Sequence, residues 1–514
     1  MINPERMAAA QRALGAQLAR LREAAGLKQV ELAARILTSR STVANIETGH
    51  TRGTQDFWTR VDEELGAGGE LLRGHAEIVA LIRRQREDEA RSAAAARATT
   101  LTQVTPTATT PPGSRAVLRH PVGSLLDGGL AAPPRRPDTS GMLLALAAPA
   151  GRFFDGLTIE ARVYPAVDDG RILAAVPPGY IDDQFLRRAK RGLVVGVTDS
   201  ISGVQAFGLD ARQARRRLAR GAATARLLIP RANALDDLTF GILWAVANMD
   251  QALLNDDRLI ADLQPDLSPY TTVARSSLGR DVAADLSSVS QMWIGSEFCA
   301  RHILDRLGEM ADVPDFWTRE QRGEEASTWL LFAHKYTYLQ AVAERFAGQS
   351  INRAFCLPPD TVDASPPAER LLLLLAAALM ESFGITVTVC TEPEYANIEG
   401  FVLEHQRRAI VANWIGTDGI WHVDVTTDRP SVGDYGDVIG HARSRSAVAG
   451  PSSVNRLQAL ADYLRLDWPW LVRRCAELGE QGCAGVAEPR SRLLSVAGVD
   501  RACQYLGRHA TGDG

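Results

Sequence analysis

Apolar residues recur at helical spacing from the start of the chain. Leu14, Leu18 and Leu21 fall three and four positions apart, with Arg12, Arg20 and Arg22 on other faces, which predicts a helix over 7–25 stopped by Gly26. Two short helices with a tight connection are predicted over 26–49, the first burying Val30, Leu32 and Ala33 and the second Val43 and Ile46. Ser39 stands where its hydroxyl can cap the second of these. Gly49 stands where a helix ends most cheaply in the left-handed region. Phe57, Trp58, Val61 and Leu65 predict a fourth helix, and Leu71, Leu72, Ile78 and Ile82 a fifth, on either side of the break Gly66-Ala-Gly-Gly69. Five short helices around one core make a compact all-α unit over residues 1–86.

The pattern then changes. Residues 87–140 are Ala, Thr and Pro-rich with almost nothing to bury, and Pro106, Pro111 and Pro112 forbid a continuous helix, so a flexible linker is expected. From 141 onward the pattern is mixed α/β. Strands are expected at 157–167, 171–176, 192–198, 204–209 and 225–230, with helices at 211–220, 236–263, 289–310 and 319–346. A second set follows: strands at 351–357 and 385–390 around a buried helix at 366–383, then an antiparallel meander at 398–404, 409–414 and 419–425. Residues 427–450 read as a polar loop, and helices over 454–478 and 490–506 close the chain. The strand-helix-strand order occurs in 159–264 and again in 351–425, which permits two lobes, 141–346 and 347–514. The fold class expected is therefore multidomain: a helical N-terminal domain, a linker and a mixed α/β C-terminal region.

The exposed face of the third predicted helix carries Arg40, Ser41, Thr42 and Asn45, the short or planar hydrogen-bonding groups that a helix in a DNA major groove uses. Leu21-Arg22, Gly26-Leu27, Gln29, Leu32-Ala33, Ser39, Thr42-Val43, Ile46-Glu47 and Gly49 stand in the order and spacing of the Cro/C1-type helix-turn-helix of the XRE family, which this stretch resembles. The segment 62–72 is similar to the ending common in actinobacterial members, so the resemblance covers roughly residues 1–80. It implies that Gln29 contacts the DNA backbone, that Arg40, Ser41, Thr42 and Asn45 face bases, and that Lys28 and Arg52 add phosphate contacts. Ser39, at the start of the reading helix, joins this DNA-binding set. Ser41 is short where members often carry a long donor such as Gln.

Charge refines this picture. The 514 residues carry a net charge of -4, which excludes a generally cationic nucleic-acid coat. Residues 1–86 hold 13 Lys/Arg against 10 Asp/Glu, so the helical unit is locally positive within an acidic chain. The longest apolar run, 371–380, is half the length of a membrane span and closes at Glu381. The start of the chain lacks the charged-then-apolar pattern of a secretion signal. All 6 cysteines lie in the second half without a C-x-x-C pair, which favours reduced thiols and a cytoplasmic setting.

Beyond 141 no phosphate loop, G-x-G-x-x-G, H-E-x-x-H or G-x-S-x-G motif occurs. Cys299 and His302 are spaced for a metal but have no second pair, and packing is the expected role. Asp199-Ser200 with Ser202-Gly203 reads as a turn, and the Arg215-Arg216-Arg217 run as a solvated helix face. His334, Lys335, Tyr336 and Tyr338 form a polar patch in an apolar helix that either lines a pocket or reaches the surface. Phospholipase-D-like domains pair His and Lys as H-x-K, but here the two are adjacent and no second copy exists. Trp414, Trp421 and His422 are expected to pack across the meander, and 467–470 to form an exposed aromatic corner.

The function expected is a sequence-specific transcriptional regulator that binds double-stranded DNA. It is expected to work as a homodimer through the C-terminal region, under a small-molecule or protein effector, with no catalytic role, metal, cofactor or membrane association. The alternatives are an enzyme acting on a phosphorylated or nucleotide-like substrate, and a protein-binding adaptor.

Overall fold

A computed structural model describes residues 4–36, 38, 40–49, 55–76, 78, 142–176, 191–200, 203–220, 226–417 and 419–509. The expected linker over 87–140 therefore lies outside the described residues. The chain divides into two compact units, Met1–Thr110 and Pro111–Gly514.

The first unit is helical: α1 (Pro4–Ala24), α2 (Gln29–Arg35), α3 (Arg40–Glu47), α4 (Gln55–Glu64) and a fifth helix, α5, over 70–76. Leu14, Leu18, Leu32, Ala33, Val43, Ile46, Trp58, Val61 and Leu71 share one core. Gly26 and Gly49, at φ 69° and 74°, end α1 and α3 in the left-handed region that glycine enters without a Cβ penalty. Val30, expected in the core, is instead 55% exposed. With only 7 residues, α2 turns one narrow stripe inward, and Leu32, Ala33 and Ile36 occupy it. Asp62 fastens α4 to α5: its carboxylate accepts from the backbone N–H groups of Gly69 at 2.6 Å and Leu71 at 3.0 Å, satisfying donors that the first turn of a helix leaves free.

The second unit holds two sheets. The first comprises β1 (Met142–Ala148), β2 (Leu157–Asp168), β3 (Ile172–Ala175), β4 (Gly192–Ser200), β5 (Gly203–Asp210) and β6 (Arg226–Ile229), in the order β5-β4-β2-β3-β6 with β1 also on β2. At 12 residues β2 is long enough to pair β1 and β3 in succession along one edge, while β4 runs parallel on the other. Helix α6 (Ala211–Arg220) links β5 to β6, and α7 (Asp237–Leu267) follows. Asp236 caps α7, accepting from the Thr239 N–H at 3.1 Å. Every residue of α7 from Leu238 to Asp250 is buried, which places it at the centre of the unit as its apolar circumference predicts.

The second sheet comprises β7 (Arg275–Gly279), β8 (Asp315–Thr318), β9 (Ile351–Cys356), β10 (Ile385–Cys390), β11 (Phe401–Glu404), β12 (Arg408–Asn413) and β13 (Gly419–Thr426), in the order β10-β9-β8-β11-β12-β13-β7. The three strands β8, β9 and β10 are parallel and the others antiparallel. Because β8 lies beside β9, this sheet takes strands from both sides of the expected lobe division at 346/347. Helices α8 (Ser288–Leu307), α9 (Gly323–Leu331), α10 (Ala333–Arg345), α11 (Pro359–Ala364) and α12 (Pro367–Ser382) join these strands. The apolar run in α12 is core: Leu371 to Met380 are all buried, each leucine contributing about 1.5–3 kcal/mol. No described helix is long and apolar enough to cross a membrane.

Two expectations about helices are corrected. The single helix read over 319–346 is two, because Phe332 adopts extended backbone (φ -72°, ψ 120°) and bridges Leu494. The polar loop read over 427–450 contains a 16-residue helix, α13 (Arg429–Ser444). Asp428 caps it, and Val432, Ile439 and Ala442 bury one face, which outweighs the cost of its three glycines. The chain closes with α14 (Ser453–Tyr463), α15 (Trp468–Gln481), α16 (Ala484–Ala487) and α17 (Ala497–Gly507).

A buried charge cluster ties the first sheet to the chain's end. Arg191 donates to Asp210 and to Asp250, each at 2.6 Å, and Asp250 also accepts from the backbone N–H groups of Arg490 and Ser491 at 3.0 Å.

Candidate functional site

In the first unit, α2 starts at a half-formed capping box in which the Lys28 backbone N–H donates to Glu31 Oε2 at 2.7 Å. Gln29, its first residue, is half-buried and donates from Nε2 to Glu47 Oε2 at 2.8 Å. Glu47 also accepts from Arg22, whose Nη1 donates to Leu27 O at 2.8 Å. One carboxylate at the end of α3 thus gathers α1 and α2, and hydrogen bonding to it pushes the Arg22 guanidinium further above its ordinary range.

This anchoring fixes which side of α3 faces out. Val43 and Ile46 point into the core, Arg40 and Asn45 are exposed, and Thr42 is half-buried at the boundary. The side chain of Ser41 lies outside the described set, as do Ser39 and Arg52 altogether. Lys28 is exposed immediately ahead of Gln29, at the start of α2. Gln29, one of the predicted contacts, is committed inside the protein through Glu47.

In the second unit the sequence candidates separate. Asp199 and Ser200 continue β4 and pair with Val204 and Gly203 of β5, a hairpin and not a strand-to-helix crossover. In the arginine run, Arg216 donates to Glu488 at 2.8 Å and Arg217 to Leu228 O at 2.9 Å, on an otherwise exposed helix face. His302 is fully buried, stacked on Phe298, with Nδ1 3.2 Å from Thr271 O. Trp421 is packed, stacked 3.9 Å from Phe298 and donating to Ser276 Oγ at 3.2 Å. The expected aromatic corner is a helix start: Asp467 caps α15, and Trp468 and Trp470 are half-buried against the core and not exposed. Among the described residues, Cys390, Glu392 and His441 are the group whose ligand atoms, within 4.8 Å of one another, suit a metal ion.

Of the polar patch in the 319–346 segment, Lys335 and Tyr338 line a cavity, whereas His334 and Tyr336 do not. The break at Phe332 turns α10 so that Lys335 and Tyr338 face the second sheet, and both are buried. Lys335 Nζ donates to Glu320 Oε1 at 2.8 Å and sits 3.8 Å above the Trp329 ring and 4.4 Å from that of Trp414. Arg353, on β9, donates to Thr318 Oγ1 at 2.8 Å and Tyr338 OH at 3.2 Å, its guanidinium lying against Phe316 and Trp329. The cavity between them has a volume of about 60 Å³. Burial pushes the Lys335 ammonium down in pKa against the pull of Glu320, and pushes the Tyr338 phenol up. Sequence reasoning found Lys335 but missed Arg353 and Glu320, which lie on other elements and are joined to it only by the sheet.

Ser296, also on this wall, lies 2.8 Å from His334 Nε2 and 3.2 Å from Trp293 O. The hydroxyl's one proton serves either Trp293 O or His334 Nε2, and His334 Nδ1 has no partner among the described residues. Burial pushes this imidazole well below its ordinary pKa, in keeping with a neutral ring.

The helix-turn-helix domain family matches residues 13–74, the span from α1 into α5. The first unit is therefore a helix-turn-helix domain of the kind that binds DNA. No curated protein and no solved structure matches the chain.

Proposed function

We propose that the chain is a sequence-specific, DNA-binding transcriptional regulator of the XRE type. The observation that carries this reading is the geometry of α3: Arg40 and Asn45 exposed on one side, Val43 and Ile46 buried on the other, and Glu47 locking the helix to Arg22 and Gln29. A helix so held presents its first turns to the major groove, with Arg and Asn donors suited to guanine and adenine edges. Lys28 and Arg52 supply phosphate contacts. A homodimer formed through the C-terminal region reads two half-sites about one helical turn apart. That region is the sensing body, its effector acting by binding the DNA-competent and incompetent states differently.

Selection of bound sequences from random DNA by the full chain tests this reading. The wild type is expected to enrich one motif, and Arg40→Ala with Asn45→Ala to lose it. Enrichment of no motif, or of the same motif by the double variant, overturns it.

A second reading makes the second unit an enzyme, and the observation behind it is Ser296 2.8 Å from His334 Nε2 beside Lys335 and Arg353. Against it, His334 Nδ1 has no carboxylate to orient the ring. Covalent labelling of Ser296 by a fluorophosphonate, abolished by His334→Ala, supports this reading, and an unlabelled chain removes it.

A further inference from the structure

We infer that the cavity between Lys335 and Arg353 is a binding site for the oxyanion group, carboxylate or phosphoryl, of a small molecule. The site lies within the second unit and does not depend on whether the first unit binds DNA.

Charge is the first argument. Lys335 and Arg353 are each 3% exposed, and the carboxylate that reaches them is that of Glu320, bonded to Lys335. Arg353 donates to the hydroxyls of Thr318 and Tyr338 and lies against the rings of Phe316, Trp329 and Tyr338, so among the described residues its charge has no acidic hydrogen-bond partner. The other groups facing the cavity do not supply one. Burial holds Cys299 and Tyr338 in their neutral forms, and Arg319, at the rim, adds a further cation whose guanidinium donates to Ile415 O and Gly416 O. A buried cation without a counter-charge is costly, and a bound anion removes that cost.

Hydrogen bonding gives the same sign independently. Arg353 Nε, Trp329 Nε1 and Asn413 Nδ2 are buried on the cavity's lining residues and have no partner. All three are donors. Asn413 shows why this is not a misplaced amide: its Oδ1 accepts from Gly400 N at 2.5 Å, which fixes the NH₂ group on the opposite side. The lining also holds acceptors, the Glu320 carboxylate and the Thr318 and Tyr338 hydroxyls, but these already accept from Lys335 and Arg353, so the buried atoms left without a partner are donors and match a group that only accepts. The cavity's volume of about 60 Å³ suits a headgroup. Half-buried Ile303, Arg319 and Trp414 on the lining give the remainder of a molecule a way out past an indole and an aliphatic chain.

The test uses the full chain, titrated separately with acetate, benzoate, inorganic phosphate, phenyl phosphate and the neutral benzamide, read by calorimetry and tryptophan fluorescence. At least one oxyanion is expected to bind saturably, with benzamide at least tenfold weaker than benzoate. Benzoate over phenyl phosphate identifies a carboxylate ligand, and the reverse a phosphoryl one. Arg353→Gln is expected to abolish binding. Because that variant can also weaken folding, Asn413→Asp serves as the second arm. It keeps the acceptor for Gly400 and turns an unpaired donor into a carboxylate on the cavity wall. The expected result is a raised melting temperature with at least tenfold weaker oxyanion binding. Failure of all four oxyanions to bind, equal binding of benzamide, or an Asn413→Asp variant that melts lower or binds as before overturns the inference.

Discussion

Arg22 and Glu47, 25 positions apart, meet in a two-point ion pair of 2.6 and 3.1 Å, with only 9% and 6% of their side chains exposed. The same carboxylate holds Gln29, so three helices share one anionic anchor. The pair is buried, and its loss leaves a desolvated guanidinium with only Leu27 O and the exposed Glu23 carboxylate.

Glu47→Ala is accordingly expected to destabilise the first unit by about 3–5 kcal/mol. Hydrogen exchange on the full chain checks this. Amides of α1, α2 and α3 should lose protection while those of α7 and α12 keep theirs.

One substitution, glycine to alanine, is expected to act with opposite sign at two places. At Gly15 an added Cβ would lie 2.3 Å from Ile46 O and 2.6 Å from Glu47 O, backbone atoms that cannot turn aside. Gly15→Ala should push α1 off the end of α3, cost about 1–3 kcal/mol and weaken DNA binding without touching an exposed side chain. At Gly440, inside α13, nothing lies within 4 Å of the added methyl. Gly440→Ala should stabilise by up to about 1 kcal/mol, read by melting of the full chain.

Burial, with Arg306 beside it, pushes His302 down to about 4. The unfolded ring titrates near about 6.5, so below that pH the unfolded chain takes up protons the folded one refuses. Stability that is complete above this value should fall as the pH drops toward 4, with His334 acting in the same direction. His302→Asn should flatten the fall. Denaturant midpoints measured between these limits decide it, and parallel curves for the two proteins would show that His302 plays no part.

On DNA, Lys28→Ala and Asn45→Ala are expected to fail differently. Loss of a phosphate contact should weaken all sequences alike and reduce the salt slope by about 1. Loss of a base contact should cost about 1–3 kcal/mol on the preferred site and relax one base position. Binding isotherms at several salt concentrations, on the preferred and a scrambled site, separate the two.

The sequence is most legible where contacts are local. The core of the first unit follows from residues three and four apart, and among the described residues only Val30 is exposed against expectation, because two turns of helix cannot turn four apolar residues inward. Strands such as β2 and β4 announce themselves by alternation and by β-branched residues. The polar-looking α13 does not, since its cap, Asp428, and its buried Val432, Ile439 and Ala442 are diluted by glycines, and only the sheet beneath makes sense of them. The cavity was legible by half. Lys335 interrupts an apolar helix and so draws notice, whereas Arg353 and Glu320 come from a strand and a loop whose proximity is a property of sheet order. Pairing of β8 with β9 was hidden for the same reason, β8 being only 4 residues long.

The break at Phe332 sets a schedule for synthesis. Ala333 donates its backbone N–H to Leu493 O, and Ser495 donates to Leu331 O, so residues near the end of the chain hold the bend that aims Lys335. On the ribosome, the helix-turn-helix domain emerges first and has all its own contacts long before residue 493 exists. A polypeptide released before residue 493 therefore carries a finished helix-turn-helix domain and no finished cavity. The two units therefore mature at different times, and only copies that extend past residue 495 can carry both.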